Sequence, residues 1–235
     1  MRILAVDTSS KSASAAVLDN GVLLCESTIN TNLTHSQTIM PLISSMMKNA
    51  MLSLSDIDVF AAAVGPGSFT GLRIGLSGVK AMAQAGGKPC VAISTLEALA
   101  FNLCDINAII CSVLDARCNQ VYMALFDNRD GNFTRLCDDN AVLIEDLSHI
   151  LKNYNSPIFF VGDGATLCYN KLKDENLDLR VASSALVNLR ASSICKLAEI
   201  KGEQAHIKAD MLLPKYLKLP QAQRELMAKQ KSEGN

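Results

Sequence analysis

The feature that most constrains this chain is a buried strand, a glycine-rich loop and a helix in direct succession. Residues 59–64 are all apolar and are followed at once by glycine and proline, which is typical of a strand buried on both faces. Gly65, Gly67 and Gly71 allow a tight turn in which the backbone can approach a ligand or a neighbouring segment closely. The apolar spacing after Thr70, a predicted N-cap, indicates a helix.

The loop differs from the two common phosphate-binding fingerprints. It has the pattern GxGxxxG, whereas a dinucleotide site needs GxGxxG, and no Gly-Lys-Ser/Thr follows as in a P-loop. A helix N-terminus can nevertheless hold phosphate. Two interpretations therefore stay open, phosphate binding and a structural turn, and the spacing favours the turn.

Composition narrows the class of protein. The 235 residues suffice for one large domain or two lobes, and a net charge of −1 gives no basic surface for binding nucleic acid alone. The apolar run at the N-terminus is too short for a signal peptide, and no run approaches the roughly 20 residues of a membrane span. The eight cysteines never lie within four residues of each other, which indicates free thiols. A cytoplasmic protein without membrane contact is expected.

A pattern of strands and turns occurs twice. Asp7 ends a first strand and Asp19 marks the turn between two further strands; Asp115 and Asp127 follow, each 108 residues later, in the same setting. Three strands, a helix, a strand and a helix, given twice, predict a duplicated α/β fold with two facing lobes. Actin, sugar kinases and Hsp70 share that layout, with nucleotide bound in the cleft between the lobes.

The patterns predict the following elements. Strands are expected at 2–7, 12–18, 22–29, 59–64, 90–93, 113–115, 121–126, 133–137 and 158–161, and helices at 36–52, 70–85, 94–102, 144–151 and 185–201.

Five segments together resemble the TsaB family, also called YeaZ. They are ILAVDTSS at 3–10, His35 and Ser36 with Pro41, GPGSFTGLR at 65–73, DAR at 115–117 and VGDGA at 161–165. The resemblance covers nearly the whole chain. It implies an actin-like ATPase (ASKHA) fold with a mixed sheet and flanking helices in each lobe, one lobe over 1–105 and another over 106–217. A helical tail over 218–235 is expected to follow.

The resemblance also implies a function. Family members are non-catalytic dimerisation or scaffold subunits that TsaD requires to transfer a threonylcarbamoyl group to adenosine next to the anticodon in tRNA. The resemblance implies a heterodimer with TsaD, the small ATPase TsaE as a further partner, and contact with tRNA only through the complex. No catalytic residue and no required cofactor are expected in this chain.

A metal site is not expected either. In TsaD, the segment that resembles residues 93–99 carries two metal-binding histidines four residues apart, and the matching positions here are Thr95 and Leu99. No two of the chain's three histidines lie at i,i+3 or i,i+4 spacing. His35 is instead predicted to be a polar residue at the start of a helix.

Two other functions remain as alternatives. A small ATP-dependent phosphotransferase, or weak ATP or ADP binding, would use a set of polar residues and glycines at the two turns and beyond: Asp7, Thr8, Ser9, Asp115, Gly162 and Gly164. The structural interpretation is that Asp7 and Asp115 accept hydrogen bonds from backbone N–H groups at strand ends. A glycoprotease-like peptidase is the other alternative, although no GxSxG elbow surrounds Ser68.

The helices at 36–52 and 70–85 carry more apolar or small-residue surface than one sheet should cover. The surplus predicts a partner interface formed by Met40, Met47, Met51, Gly75, Gly78 and Met82. A similar helix pair from TsaD, or from a second copy of this chain, would complete a four-helix layer. The alternative is that the glycines only fit the helix tightly to its own sheet.

Overall fold

The first half of the chain forms one five-stranded sheet in this computed structural model, which describes residues 1–31, 33–129 and 131–218. The strands are β1 (Arg2–Asp7), β2 (Ala13–Asp19), β3 (Val22–Ile29), β4 (Val59–Gly65) and β5 (Cys90–Ser94). Their spatial order is β3-β2-β1-β4-β5. The first three strands are antiparallel, and β4 and β5 run parallel to β1.

The second half repeats this arrangement. Its strands are β6 (Ile109–Asp115), β7 (Gln120–Asp127), β8 (Thr134–Arg135), β9 (Asn140–Leu143), β10 (Ile158–Val161) and β11 (Leu179–Val181). The order β11-β10-β6-β7-β8 matches the first sheet strand for strand, and β9 adds a second partner for β7. The shared order confirms the predicted duplication and the actin-like ATPase fold.

In the described part of the chain, six α-helices surround the two sheets. They are α1 (His35–Asn49), α2 (Phe69–Gly86), α3 (Thr95–Phe101), α4 (Ile144–Leu151), α5 (Ala165–Leu172) and α6 (Ala191–Lys201). The pair α1 and α2 covers the outer face of the first sheet, and α4 and α5 cover the outer face of the second. Short 3-10 helices lie at Leu54–Asp56, Glu203–Ala205 and Ala209–Met211.

The remaining helices, α3 and α6, lie between the sheets and unite them. A single buried cluster joins Ile3 and Ile93 of the first sheet, Leu99 of α3, Phe126 of the second sheet and Ile194 of α6. Although α6 belongs to the second half of the chain, it packs on every strand of the first sheet, and α3 in turn contacts β6 and β7. The predicted lobes, 1–105 and 106–217, thus hold one sheet each but exchange a helix.

Several predicted boundaries were wrong. Ser68 rather than Thr70 caps α2, since its Oγ accepts a hydrogen bond from the N–H of Gly71 at 3.2 Å. The helix predicted at 185–201 begins only at Ala191, because the Asn102 side-chain amide donates to two backbone carbonyls in the preceding segment, at 2.7 and 2.8 Å. The strand predicted at 133–137 is reduced to the two residues of β8. The helix predicted at 36–52 ends at Asn49.

Among the described residues, the strands β9 and β11, the helix α5 and the short 3-10 helices were missed. Apart from residue 218, the predicted helical tail lies outside the described residues. Within the ranges the structure describes, no helix combines the length and apolar character needed to cross a membrane.

Candidate functional site

A cleft lies between the two lobes. It encloses about 430 Å³ and is lined by Ser9 and Ser68 of the first lobe, Asp115 and Asp163 of the second, and Tyr216 near the end of the described chain. The rings of Phe69 and Tyr122 and the basic side chains of Lys11, Arg117 and Lys218 also line it. Hydroxyls, charged groups of both signs and three aromatic rings therefore converge where the actin-like layout holds nucleotide. Asp7 and Thr8 lie just behind this surface, at the end of β1.

Asp7 is a buried carboxylate with one oxygen satisfied. Its Oδ1 accepts a hydrogen bond from the N–H of Ser9 at 2.9 Å, whereas Oδ2 has no hydrogen-bond partner among the described residues. Burial raises the pKa of Asp7 to about 6, against the lowering effect of the hydrogen bonds from Ser9. A carboxylate held in this way destabilises the protein when ionised, which is a common property of functional sites.

We expect Asp7 to make the fold less stable as pH rises. Its folded-state pKa lies above the unfolded value of about 3.9. The contribution of protonated Asp7 to the stability of the fold is therefore fully present below pH 4 and is lost as pH rises through 6. Above pH 6, Asp7→Asn should therefore have a higher urea midpoint than the wild type. Its free energy of unfolding should be larger by on the order of 3 kcal/mol. The two proteins should converge near pH 4. A difference that does not change between pH 4 and 8 would contradict this account.

The glycine-rich loop packs against the turn after β1. A Cβ on Gly71 would lie 2.1 Å from the carbonyl oxygen of Thr8, and one on Gly75 would lie 2.2 Å from Thr8 Oγ1. Thr8 Oγ1 donates to the carbonyl oxygen of Gly71 at 2.7 Å. The N–H of Ser68 donates to the carbonyl oxygen of Ser9, also at 2.7 Å. The loop is therefore a structural turn that fixes α2 on the end of β1, and Gly75 faces its own chain.

The corresponding turn of the second lobe is also held by internal bonds. Asp115 Oδ1 accepts from the N–H of Arg117 at 2.8 Å, and the N–H of Asp115 donates to Asp163 Oδ1 at 2.9 Å. A Cβ on Gly162 would lie 2.1 Å from the carbonyl oxygen of Val113. Asp7 and Asp115 thus both accept from a backbone N–H two residues further on, as the structural interpretation expects.

Gly164 also packs on the end of β6. Its N–H donates to the carbonyl oxygen of Val113 at 3.2 Å, and an added Cβ would lie 3.3 Å from the backbone nitrogen of Asp115. Close packing within the chain explains this glycine. A nucleotide role for the predicted residues of the two turns stays a prediction.

The outer face of α1 and α2 shows which predicted interface residues are accessible. Met40 and Met51 are 45% and 93% exposed, whereas Met47 and Met82 are only 4% and 5% exposed. The prediction that Met47 lies at an outward edge was wrong, because α1 turns that side chain onto the core of its own lobe. Gly78 is half-buried, and a Cβ there would lie 3.3 Å from the Met40 sulfur. The close helix approach predicted at Gly78 is therefore made by α1 itself.

Two shallow grooves lie on this face. One of about 590 Å³ is lined by Met40, Met51 and Leu54, with Met47 and Met82 also contributing. The second, of about 520 Å³, runs along the start of α2 past Phe69, Arg73 and Gly78, and Met40 lines it as well. Met40 is therefore the side chain shared by both grooves.

The positions matched to the TsaD histidines are part of the core. Thr95 and Leu99 on α3 are 0% and 1% exposed. No three or more His, Cys, Asp or Glu side chains are grouped as for a metal ion in the ranges described. His35 starts α1, where its Nε2–H donates to the carbonyl oxygen of Ser10 at 2.8 Å, consistent with the predicted helix-start role.

Sequence reasoning missed the residues that close the cleft. Residues 216–218 pass over it, and Tyr216 and Lys218 line the cavity beside Phe69. Tyr216 contacts Phe69 and Arg73, which lie about 145 positions earlier in the chain, so no local pattern could reveal these contacts.

A family model, related sequences and a solved structure that match this chain all point to one group of related proteins. A family model described as TsaD, tRNA N6-adenosine threonylcarbamoyltransferase, matches residues 25–226. The chain is 30% identical over 233 residues to the tRNA threonylcarbamoyladenosine biosynthesis protein TsaB of Bacillus subtilis, covering 98% of this chain and all of that protein. A protein of the same name from Haemophilus influenzae is also 30% identical, with 93% and 94% covered. The solved structure of YeaZ from Pseudomonas aeruginosa superposes with a TM-score of 0.76 at 25% identity, covering 92% of this chain and 99% of that one.

Proposed function

Since the chain belongs to the TsaB family, whose curated members are named as tRNA threonylcarbamoyladenosine biosynthesis proteins, we propose that it is the non-catalytic scaffold subunit that TsaD requires. In this proposal TsaD transfers the threonylcarbamoyl group to adenosine next to the anticodon, and this chain holds TsaD in its working form. Contact with tRNA occurs only within the complex, which agrees with the net charge of −1.

The outer face of α1 and α2 is the observation that supports this proposal most directly. Met51 stands 93% exposed at the end of α1, with a backbone φ of +55° that L residues rarely adopt. Small side chains, Ser44, Ser77 and Ala81, lie exposed along the same two helices. Exposed methionines beside small residues fit a surface that another helix pair covers.

The absence of chemistry in this chain is supported by the environment of three residues. Thr95 and Leu99 offer no imidazole and lie within the core between the sheets. Ser68, the most obvious nucleophile, uses its Oγ as the acceptor that caps α2. These side chains stabilise the fold, and the transferase residues are therefore assigned to TsaD.

Nucleotide binding in the cleft is proposed to be weak and not required. The Oδ2 of Asp7 and the buried Oγ of Ser9, which have no hydrogen-bond partner among the described residues, offer polar atoms near the site. The turn that should face phosphates from the second lobe has no glycine and runs through Arg117, Cys118 and Asn119, all with left-handed φ. These residues fit ATP or ADP poorly, because a phosphate-binding turn needs closely approaching backbone N–H groups.

The remaining partners belong to the same proposal. TsaE is proposed to join the complex of this chain with TsaD in the cytoplasm. When TsaD is absent, the outer face of α1 and α2 is proposed to pair with a second copy, since one surface that accepts a similar helix pair can also accept itself.

Reconstitution tests the scaffold role. The purified chain, given tRNA and a threonylcarbamoyl donor, is expected to form no modified adenosine, whereas adding TsaD together with TsaE and ATP should restore modification. Mass spectrometry of the digested nucleosides measures the product. Modification by this chain alone would overturn the proposal, as would full TsaD activity in its absence.

A further inference from the structure

Residues 212–218, called here the C-terminal strap, are seated on the end of β4. The N–H of Lys215 donates to the carbonyl oxygen of Val64 at 2.7 Å. A Cβ on Gly65 would lie 2.4 Å from the carbonyl oxygen of Lys215, so only glycine leaves room for the strap at this point. At Lys215 the strap therefore makes a backbone contact with the first lobe.

The strap is also held by the first turn of α2. The rings of Tyr216 and Phe69 stack with centroids 4.6 Å apart. The Arg73 guanidinium lies 3.8 Å from the centre of the Phe69 ring, and its Nε–H donates to the Tyr216 hydroxyl at 2.9 Å. Aromatic stacking, a cation–π contact and a charge-assisted hydrogen bond thus act on one side chain of the strap.

Two lysines then connect the strap to the second lobe. Lys215 Nζ lies 3.4 Å from the buried carboxylate of Asp139. Lys218 Nζ donates to the carbonyl oxygen of Ala116 at 3.2 Å and to Gln120 Oε1, and it lies 5.6 Å from the Tyr122 ring. The turn between β6 and β7 therefore supplies the second anchor.

We propose that the C-terminal strap is a clasp that closes the interlobe cleft and fixes the two lobes at their mouth. Tyr216, Leu217 and Lys218 line the cavity, so a molecule that enters the cleft has to compete with the strap for the same surface. Arg73 holds the strap and also lines the second groove of the outer face. The clasp therefore connects the cleft with the surface assigned to TsaD, while its own existence does not depend on the proposed function.

Hydrogen exchange on the full chain tests the clasp through Gly65→Ala. The added methyl group clashes with Lys215 of the strap and lies 3.3 Å from Leu72 of α2, and neither belongs to the turn at 115–121. Amides of residues 212–218, and of 115–121 in the second lobe, are expected to exchange roughly tenfold faster, equivalent to about 1.4 kcal/mol of local opening free energy. Amides of α4 should keep their wild-type rates.

Gly87→Ala is the matched control. Gly65 has a φ of +120° and Gly87 one of +60°, so alanine strains the backbone at both positions. No described residue lies within 4 Å of a Cβ added to Gly87, so this variant carries strain without touching the strap. Its exchange at 115–121 should match the wild type. Exchange at 115–121 that is unchanged in Gly65→Ala, in a protein that is otherwise folded, would overturn the clasp.

The double variant Tyr216→Ala with Lys218→Ala keeps the proposal testable if Gly65→Ala does not fold. Both side chains lie at the edge of the cleft, so their removal should leave the core intact and accelerate exchange over 64–71 and 115–121 together. Acceleration confined to the strap itself would show that the segment rests on the cleft without tying the lobes.

Discussion

Met40→Glu is expected to abolish association with TsaD and self-association while the chain remains folded. Met40 is 45% exposed and lines both grooves of the outer face, so a carboxylate there would lose its contact with water in either assembly. Such a charge should weaken binding by roughly 10²–10³-fold. Sedimentation velocity, with and without TsaD, measures both associations.

The control has to separate loss of the interface from loss of the fold. Met47→Glu does not serve, because Met47 is buried and its replacement would destabilise the lobe itself. Leu167→Glu is a matched control, since Leu167 is also a partly exposed apolar residue, at 38%, but lies on α5 of the second lobe. Leu167→Glu should assemble as the wild type does. If Met40→Glu assembles equally well, the interface lies elsewhere.

Asp139→Ala is expected to lower the free energy of unfolding by about 2–3 kcal/mol, because it removes a buried charged acceptor while its partners Arg135 and Lys215 stay partly solvated. The carboxylate accepts from Arg135 Nη1 at 2.8 Å and from Ser94 Oγ at 3.0 and 3.1 Å, and it faces Lys215 of the strap. Its side chain is 1% exposed. Removing this carboxylate leaves Ser94 of the first lobe, Arg135 of the second lobe and Lys215 of the strap without the acceptor that they share.

Urea unfolding measures this loss, and a second aspartate supplies the comparison. Asp178 pairs with Arg180 at 3.0 Å, but both side chains are about half exposed, so Asp178→Ala should hardly change the unfolding midpoint. Equal effects of the two substitutions would show that Asp139 does not act as a buried link between the lobes.

The periodicity of apolar residues predicted the main strands and helices. It was least accurate where a side-chain hydrogen bond determines the residue at which an element begins or ends. The apolar strands β1, β4 and β6 and the repeated aspartates were sufficient to predict the duplication. The start of α6 depends on Asn102, whose side-chain amide donates to the carbonyl oxygens of Leu186 and Asn188. These residues lie 84 and 86 positions later in the sequence. Short elements such as α5 and β11 offer too few residues for a period to stand out.

The candidate site divides in the same way. The turns after β1 and β6 could be placed from the sequence, because each ends an apolar strand with an aspartate. The reason for glycine at positions 75 and 78 could not be predicted from the sequence. These glycines make room for Thr8 and Met40, and that contact is visible only when the position of α2 is known. The unpartnered oxygen of Asp7 is likewise a property of burial, which a sequence pattern does not measure.

The position of α6 has a consequence for synthesis on the ribosome. Because this helix covers the inner face of β1 and β2, the first sheet emerges from the exit tunnel long before the helix that buries it. The nascent chain must therefore hold an apolar sheet face exposed while more than half of the protein is still being made. Such a face is prone to aggregation, so translation of this chain gives chaperones a long interval in which to bind.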